Sequence, residues 1–168
     1  MLTTAAGPAL PGRMLATGGQ SSSLANLRTG TVLAFDFGEA RIGVAVGELD
    51  VRIAHALTVI AAAPRSERFR AVGELIEEWR PVLLAVGVPS HADGGGHPFA
   101  ARCEKFARSL EGRFQLPVAL VDESFTSCAA TERLSEAGVG ARAQKTRIDA
   151  AAAAEILAAL FSQIDDAA

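Results

Sequence analysis

Three strand-length apolar runs, separated by stretches of helical periodicity, narrow what this chain can fold into. Thr31-Val-Leu-Ala-Phe-Asp36, Val82-Leu-Leu-Ala-Val86 and Val118-Ala-Leu-Val121 lack the polar alternation of a half-solvated strand. Such runs belong to sheets covered on both faces, and the covering helices lie between them in sequence. After the first run, Gly38 and a short polar turn lead into Ile42-Gly-Val-Ala-Val46, a β-hairpin pattern, and His55-Ala-Leu-Thr-Val-Ile60 predicts a third antiparallel strand. Phe69, Val72, Leu75, Ile76 and Trp79 then recur at helical spacing up to Pro81. Phe99, Cys103, Phe106, Ala107 and Leu110 form a second helical stripe that ends near Gly112. A third helix from about Ser127 to Glu136 and a last one from about Arg147 to Phe161 complete the order β-β-β-α-β-α-β-α-α. The expectation is an α/β fold: a five-stranded mixed sheet with three antiparallel N-terminal strands and helices on both faces.

At 168 residues the chain is long enough for one domain with its own core, expected over residues 30–165. Residues 1–29 are rich in Gly, Ser, Thr and Ala without an apolar period, and read as a disordered leader or a mis-assigned start, with Met14 as the other initiator. The longest apolar stretch, Ala150 to Phe161, is interrupted by Glu155 and falls short of the roughly 20 residues a bilayer needs, so no membrane association is expected. Cys103 and Cys128 have no partner motif, which favours a reducing cytoplasm over a disulfide framework or a zinc site. A formal net charge of −3 argues against a domain coated with basic residues for nucleic acid, so any such contact must be local. Of the 16 basic residues 14 are arginines, whose planar fork suits carboxylate or phosphate.

Three carboxylates stand out. Asp36 ends a buried strand at the carboxyl edge of the sheet, where open α/β folds place ligands; the competing reading is a turn carboxylate beside Gly38. Glu123 ends another buried strand at the same edge, and since alternation sends Asp122 to the opposite face, only one of the two can join Asp36. Helix capping or solvation is the alternative for that pair. Asp149 shares a helix face with Ala153, Ile156 and Leu160, so a carboxylate points where the core should be. A buried anion must be paired, neutralised or metal-bound, unless Asp149 lies in the first turn and faces the helix dipole. Together the three could converge on two Mg²⁺ or Mn²⁺ ions, hard cations that prefer oxygen, and phosphodiester hydrolysis is the matching chemistry. If the strand of Val82 to Val86 lies between those of Asp36 and Glu123, their backbones are about 10 Å apart, which a Glu side chain and two ions could bridge.

Asp93, in the glycine-rich loop, is a further candidate ligand, with an Asp-Gly turn as its plainer explanation. Lys145, Arg147 and Arg41 are candidate phosphate contacts, each equally readable as a solvated charge. His91 and His97 lack a third ligand and are taken as loop residues. Asp36-Phe-Gly matches a protein-kinase tripeptide without the glycine-rich loop and lysine that should precede it, and Gly94-Gly-Gly96 lacks the Gly-Lys-Ser/Thr ending of a P-loop.

The set Asp36-Phe-Gly-x-x-Arg41-Ile-Gly-Val-Ala-Val46, Gly87-x-Pro89-x-x-x-Asp93-Gly94, Val121-Asp-Glu123 and Lys145-x-x-x-Asp149-Ala150 resembles the YqgF/RuvX family of pre-16S rRNA nucleases, also described as Holliday junction resolvase-like proteins. The resemblance runs from about Gly30 to Ile164, with the four motifs in order. It implies an RNase H-like fold, a cytoplasmic location and maturation of the 5′ end of 16S ribosomal RNA, and places the family's acidic residues on Asp36, Glu123 and Asp149. The chain departs from the family at Ser124, where an arginine commonly follows Asp-Glu, and at Ser90-His-Ala after Pro89.

The reading that follows is a metal-dependent endonuclease in which Asp36, Glu123 and Asp149 hold the ions and Lys145 steadies a phosphate, acting on precursor rRNA as a monomer or homodimer. The alternatives are a resolvase-like nuclease for branched DNA, which needs a dimer, and a non-catalytic RNA or transcription-complex binding module. An ATP-using actin-like domain fits poorly with a single lobe of this length.

Overall fold

The computed structural model describes residues 13–15, 27–61, 63–89, 98–123 and 141–167, without the side chains of residues 13–15, 141–147 and 166–167. The elements are β1 (Arg13–Leu15), β2 (Thr31–Phe37), β3 (Ile42–Glu48), β4 (Ala54–Ile60), α1 (Arg65–Trp79), β5 (Leu83–Val88), α2 (Pro98–Phe114), β6 (Val118–Asp122) and α3 (Ala141–Ala167). They form one sheet in the order β1-β6-β5-β2-β3-β4. β3 runs antiparallel to both β2 and β4, whereas β5 pairs parallel with β2 and with β6. The five expected strands thus form the expected mixed sheet, and β5 lies between β2 and β6, the order on which the estimate of about 10 Å between the outer backbones is conditional. The sixth, β1, lies within the stretch expected to be an unstructured leader. It pairs antiparallel with β6 and supplies backbone partners to an edge that would otherwise be open.

Strand alternation gives the sheet two unlike faces. Leu33, Phe35, Ile42, Val44, Leu84, Val86, Val118 and Leu120 pack with Phe69, Val72, Cys103, Phe106 and Leu110 of α1 and α2. On the other side Val32, Ala34, Ala45, Leu83, Ala85, Ala119 and Val121 meet Ala153, Ile156, Leu157, Leu160 and Phe161 of α3. Small residues dominate that second face and let α3 settle close to the strands. A Cβ built on Gly43 would fall 1.8 Å from the Asp149 carbonyl oxygen, and one on Gly47 would fall 2.9 Å from the Phe161 ring.

Two helix ends differ from expectation. α2 passes through Gly112 to Phe114, and Gln115 takes the left-handed conformation, its N–H donating to the Glu111 carbonyl at 3.0 Å. Its side chain caps the same end by donating to the Gly112 carbonyl at 2.9 Å, a local solution that a glycine count does not register. α3 starts at Ala141, well before the expected Arg147, because Ala141, Arg142, Ala143, Gln144 and Lys145 are good helix formers that extend the helix without an apolar stripe to mark it. The helix expected from Ser127 to Glu136 lies outside the described residues, as do Cys128, Ser124, Asp93, His91 and His97. Among the described residues no helix is long and apolar enough to cross a membrane.

Candidate active site

Asp36 is the penultimate residue of β2 and lies opposite Gly43 of β3. It projects from the α3 face, while Phe37 beside it projects toward α1 and α2. In the parallel ladder Phe35 is level with Val86 and Gly87 with Val121, so Asp36, Gly87 and Val121 form one row across the sheet. Glu123, two residues beyond Val121, emerges on the same face. Asp122 is paired with Val88 on the opposite one and is exposed, so of the two it is Glu123 that lies on the face of Asp36.

Gly87 closes the gap between the two outer strands. The backbones of β2 and β6 stand two strand spacings apart, about 10 Å. At the intervening row there is no side chain, and the Glu123 carboxylate lies there, its Oε1 2.6 Å from where a Cβ on Gly87 would be. Glu123 leans back across β5 and hydrogen-bonds Asp36. Burial pushes the Asp36 carboxyl up from 3.8 to about 7, helped by the charges of Glu123 and Asp149 and by that hydrogen bond. Glu123 is raised as well, chiefly by burial and further by the charge of Asp122, while the hydrogen bond from Asp36 opposes the rise. The two carboxyls therefore titrate as one coupled pair, close enough to share a proton.

Asp149 approaches from above the sheet. It sits in the third turn of α3, so the favourable field of the helix start, which fades within the first turn, does not account for it. Its partner is Arg41, from the hairpin turn between β2 and β3, with Nε 2.8 Å from Oδ2. The same Oδ2 is buried and lacks a directed hydrogen bond: the cation is close, but its N–H is misaligned. Arg41, expected to contact phosphate, therefore holds a site carboxylate in this state. The backbones of Lys145 and Arg147 lie on α3 within about one turn upstream of Asp149, and their side chains are outside the described structure.

The three carboxylates form an all-oxygen donor set in which burial first, and neighbouring negative charge second, raise Asp36 and Glu123, and in which a buried oxygen of Asp149 is short of hydrogen bonds. That chemistry fits a hard divalent cation. Among the described residues no group of three His, Cys, Asp or Glu is closed to ligand distance, since Asp36 and Glu123 share a hydrogen bond and Asp149 faces Arg41. Cys103 offers no competing nucleophile: burial, followed by the charges of Glu123 and Asp36, pushes its thiol up to about 12.

The clamp on the hairpin turn escaped the sequence reading. Arg68 of α1 donates from Nη1 to the Gly38 carbonyl at 3.4 Å, from Nη2 to the Glu39 carbonyl, and from Nε to the Ala63 carbonyl at 3.1 Å. Arg102 of α2 pairs with Glu39. These contacts fix the turn that carries Arg41 and follows Asp36. The contacts to Gly38 and Glu39 join residues 29 or more apart in sequence, and no local spacing announces them.

A family model described as "RuvX: Holliday junction resolvase" matches residues 30–163. A protein of Nitrosomonas europaea named "Putative pre-16S rRNA nuclease" is 51% identical over 133 residues, which is 79% of this chain and 90% of that one. A protein of Chromobacterium violaceum with the same name is 52% identical over 132 residues, 78% of this chain and 96% of that one. Among solved structures, Thermus thermophilus RuvC in complex with Holliday junction substrate aligns with a TM-score of 0.47 at 19% identity, covering 76% of this chain and 91% of that chain. The match over nearly the whole described sheet and its helices, with half the residues identical in relatives of similar length, shows that this chain belongs to the RuvX family.

Proposed function

We propose that the protein is a metal-dependent endonuclease that hydrolyses phosphodiester bonds in precursor 16S rRNA in the cytoplasm. The observation that carries this reading is the meeting of Asp36, Glu123 and Asp149 on the α3 face, where burial and mutual repulsion lift Asp36 to about 7. Structural carboxylates are normally paired with cations, whereas carboxylates forced together mark a functional site. The names of the relatives supply the substrate class.

Asp36, Glu123 and Asp149 would hold Mg²⁺ or Mn²⁺, with two ions as the expected number. When bound, such ions supply water activation and charge stabilisation at phosphorus. The chain's own residues do the rest. Asp36 and Glu123 would lose the proton between them to solvent, freeing oxygens on both side chains. Arg41 holds Asp149 from the hairpin side and keeps it over Gly43. Lys145 and Arg147, upstream on the same helix, are the proposed phosphate contacts.

Asp36→Asn is expected to lower cleavage of a precursor 16S rRNA fragment by more than about 100-fold, since loss of even an outer partner of a metal ligand costs about 10–100-fold. The fold should persist, because Asn has the size of a protonated Asp36 and can still donate a hydrogen bond to Glu123. Cleavage at the wild-type rate would remove Asp36 from the site. The family description favours one second reading, cleavage of branched DNA. Parallel assays on the rRNA fragment and on a four-way DNA junction, with sedimentation to test for a dimer, separate the two.

A further inference from the structure

The sheet face opposite the carboxylates carries a cavity that the proposed reaction leaves unused. It measures about 350 Å³ and lies between the end of β2, the start of α1 and the middle of α2. Phe37, Phe69, Phe106 and Ile42 form its apolar wall, and Arg65, Arg68, Arg102 and Lys105 line its mouth. The volume falls in the range of about 300–1,000 Å³ usual for small-ligand pockets. No carboxylate lines it, in a chain whose formal net charge is −3.

The four cations are not equivalent. Arg102 is neutralised by Glu39. Arg68 spends its donors on the carbonyls of Ala63, Gly38 and Glu39, which fixes its position, and it has no ion-pair partner among the described residues. Arg65 donates to the Ser109 hydroxyl at 3.2 Å and lies 5.5 Å from the centre of the Phe69 ring. Lys105 is exposed and has no ion-pair partner among the described residues. A rim with surplus positive charge over an aromatic wall is complementary to one chemical unit, a nucleotide, with its base against the rings and its phosphate at the cations.

We propose that this cavity holds a nucleotide of the RNA strand flanking the bond cut at Asp36. The assignment rests on the nuclease reading for its choice of occupant. Its geometric support is that Phe37, in the cavity wall, directly follows Asp36, so the cavity and the carboxylates open at the same edge of the sheet on opposite sides. An RNA strand crossing that edge meets the acidic site on one side and the cationic mouth on the other. The acidic side attracts the strand only with divalent cations present, whereas the cavity grips it without them.

The test is fluorescence anisotropy of a labelled single-stranded oligoadenylate with the full chain in EDTA, which does not depend on cleavage. Lys105→Ala and Arg65→Gln should each weaken binding roughly tenfold, the loss of one charge-assisted contact. Each should also reduce the slope of log affinity against log salt by about 0.7, the single-strand value per phosphate contact. Arg108→Ala, an exposed cation farther along α2 and outside the cavity, should change neither. Equal binding by Lys105→Ala, Arg65→Gln and Arg108→Ala overturns the proposal. So does a result in which adenosine 5′-monophosphate binds through Lys105 and Arg65 while oligoadenylate neither competes nor responds to the variants, since the site then serves a free nucleotide. Cavity-dependent RNA binding by a protein that cleaves neither RNA nor junction DNA would support this site and refute the nuclease reading separately.

Discussion

The two faces of the central sheet are separated from their helices by different kinds of side chain, and the difference divides the work of the molecule. Toward α3 the strands present Ala34, Ala45, Ala85 and Ala119 with Gly43, Gly47 and Gly87, so backbone lies almost on backbone. Toward α1 and α2 they present Leu33, Phe35, Val44, Leu84 and Val86, and the space is filled by aromatic rings: Phe106 stacks on Phe37 at 4.8 Å and meets Phe35 edge-on at 6.1 Å. A short side chain such as Asp149 reaches the row of Asp36 and Glu123 only from a helix held that close. On the aromatic face the helices stand off and leave room for a cavity with cations at its mouth. The close face fixes geometry to within an atom's width, while the open face tolerates adjustment.

The sharpest way to break this contrast is Gly43→Ala. The new methyl group would collide with the Asp149 carbonyl oxygen, and no rotation of a side chain relieves a clash between backbone groups. α3 must lift or slide, so we expect a loss of at least about 1–3 kcal/mol in urea unfolding, the usual range for overpacking, together with reduced cleavage as Asp149 leaves its row. Unaltered stability would mean that α3 is not seated as described. Gly87→Ala should be milder in stability, because the first atom met is the mobile Cδ1 of Ile156. It should still impair catalysis, because the next is Oε1 of Glu123.

This contrast also explains what could be read from the residue string. Five strands, the three described helices and the rule that only one of Asp122 and Glu123 can join Asp36 follow from alternation and apolar spacing, which act locally. The convergence of Asp36, Glu123 and Asp149 was legible because strand ends and an acidic residue on an apolar helix face break the same local patterns. The means of convergence were less legible. Gly87 looks like any loop-edge glycine until β5 is known to lie between β2 and β6, and Arg41 looks like a free cation until α3 is placed above the hairpin. The Arg68 clamp and the cavity join three elements distant in sequence, so no single window contains them. The strand β1 is a further case: Arg13-Met-Leu15 carries no strand signal of its own, and its pairing depends on the open edge of β6.

Acidity offers a smaller and graded test. The Asp36 carboxyl rises from 3.8 to about 7 on folding, so the native protein retains a proton that the unfolded chain releases. The stabilising contribution is therefore complete below about pH 4, declines as pH rises and is gone above about pH 7, with a limiting slope of about 1.4 kcal/mol per pH unit. Glu123 is raised too and acts in the same direction. Without metal, the stability of wild type relative to Asp36→Asn should fall by on the order of 1–3 kcal/mol between about pH 5 and pH 8. Magnesium added at the higher pH should restore it, since carboxylates bind the ion deprotonated. A difference that stays flat with pH would mean the acidic row is open to water.

The smallest effect belongs to the open face, and Gly73→Ala measures it. Gly73 lies within α1, where a Cβ would come 3.3 Å from Cε1 and 3.7 Å from Cζ of Phe114. Phe114 is the last residue of α2 and is only partly buried, so its ring can shift by the few tenths of an ångström required. Against that shift stands the helix preference for alanine over glycine, worth about 0.8–1 kcal/mol. The net expectation is a gain of up to about 0.5–1 kcal/mol, read as a higher urea midpoint at constant slope, with cleavage unchanged. One added methyl group should thus have opposite signs on the two sides of the same sheet. A loss at Gly73 as large as that at Gly43 would show that α1 and α2 are packed as tightly as α3, leaving the aromatic side no slack for the proposed nucleotide.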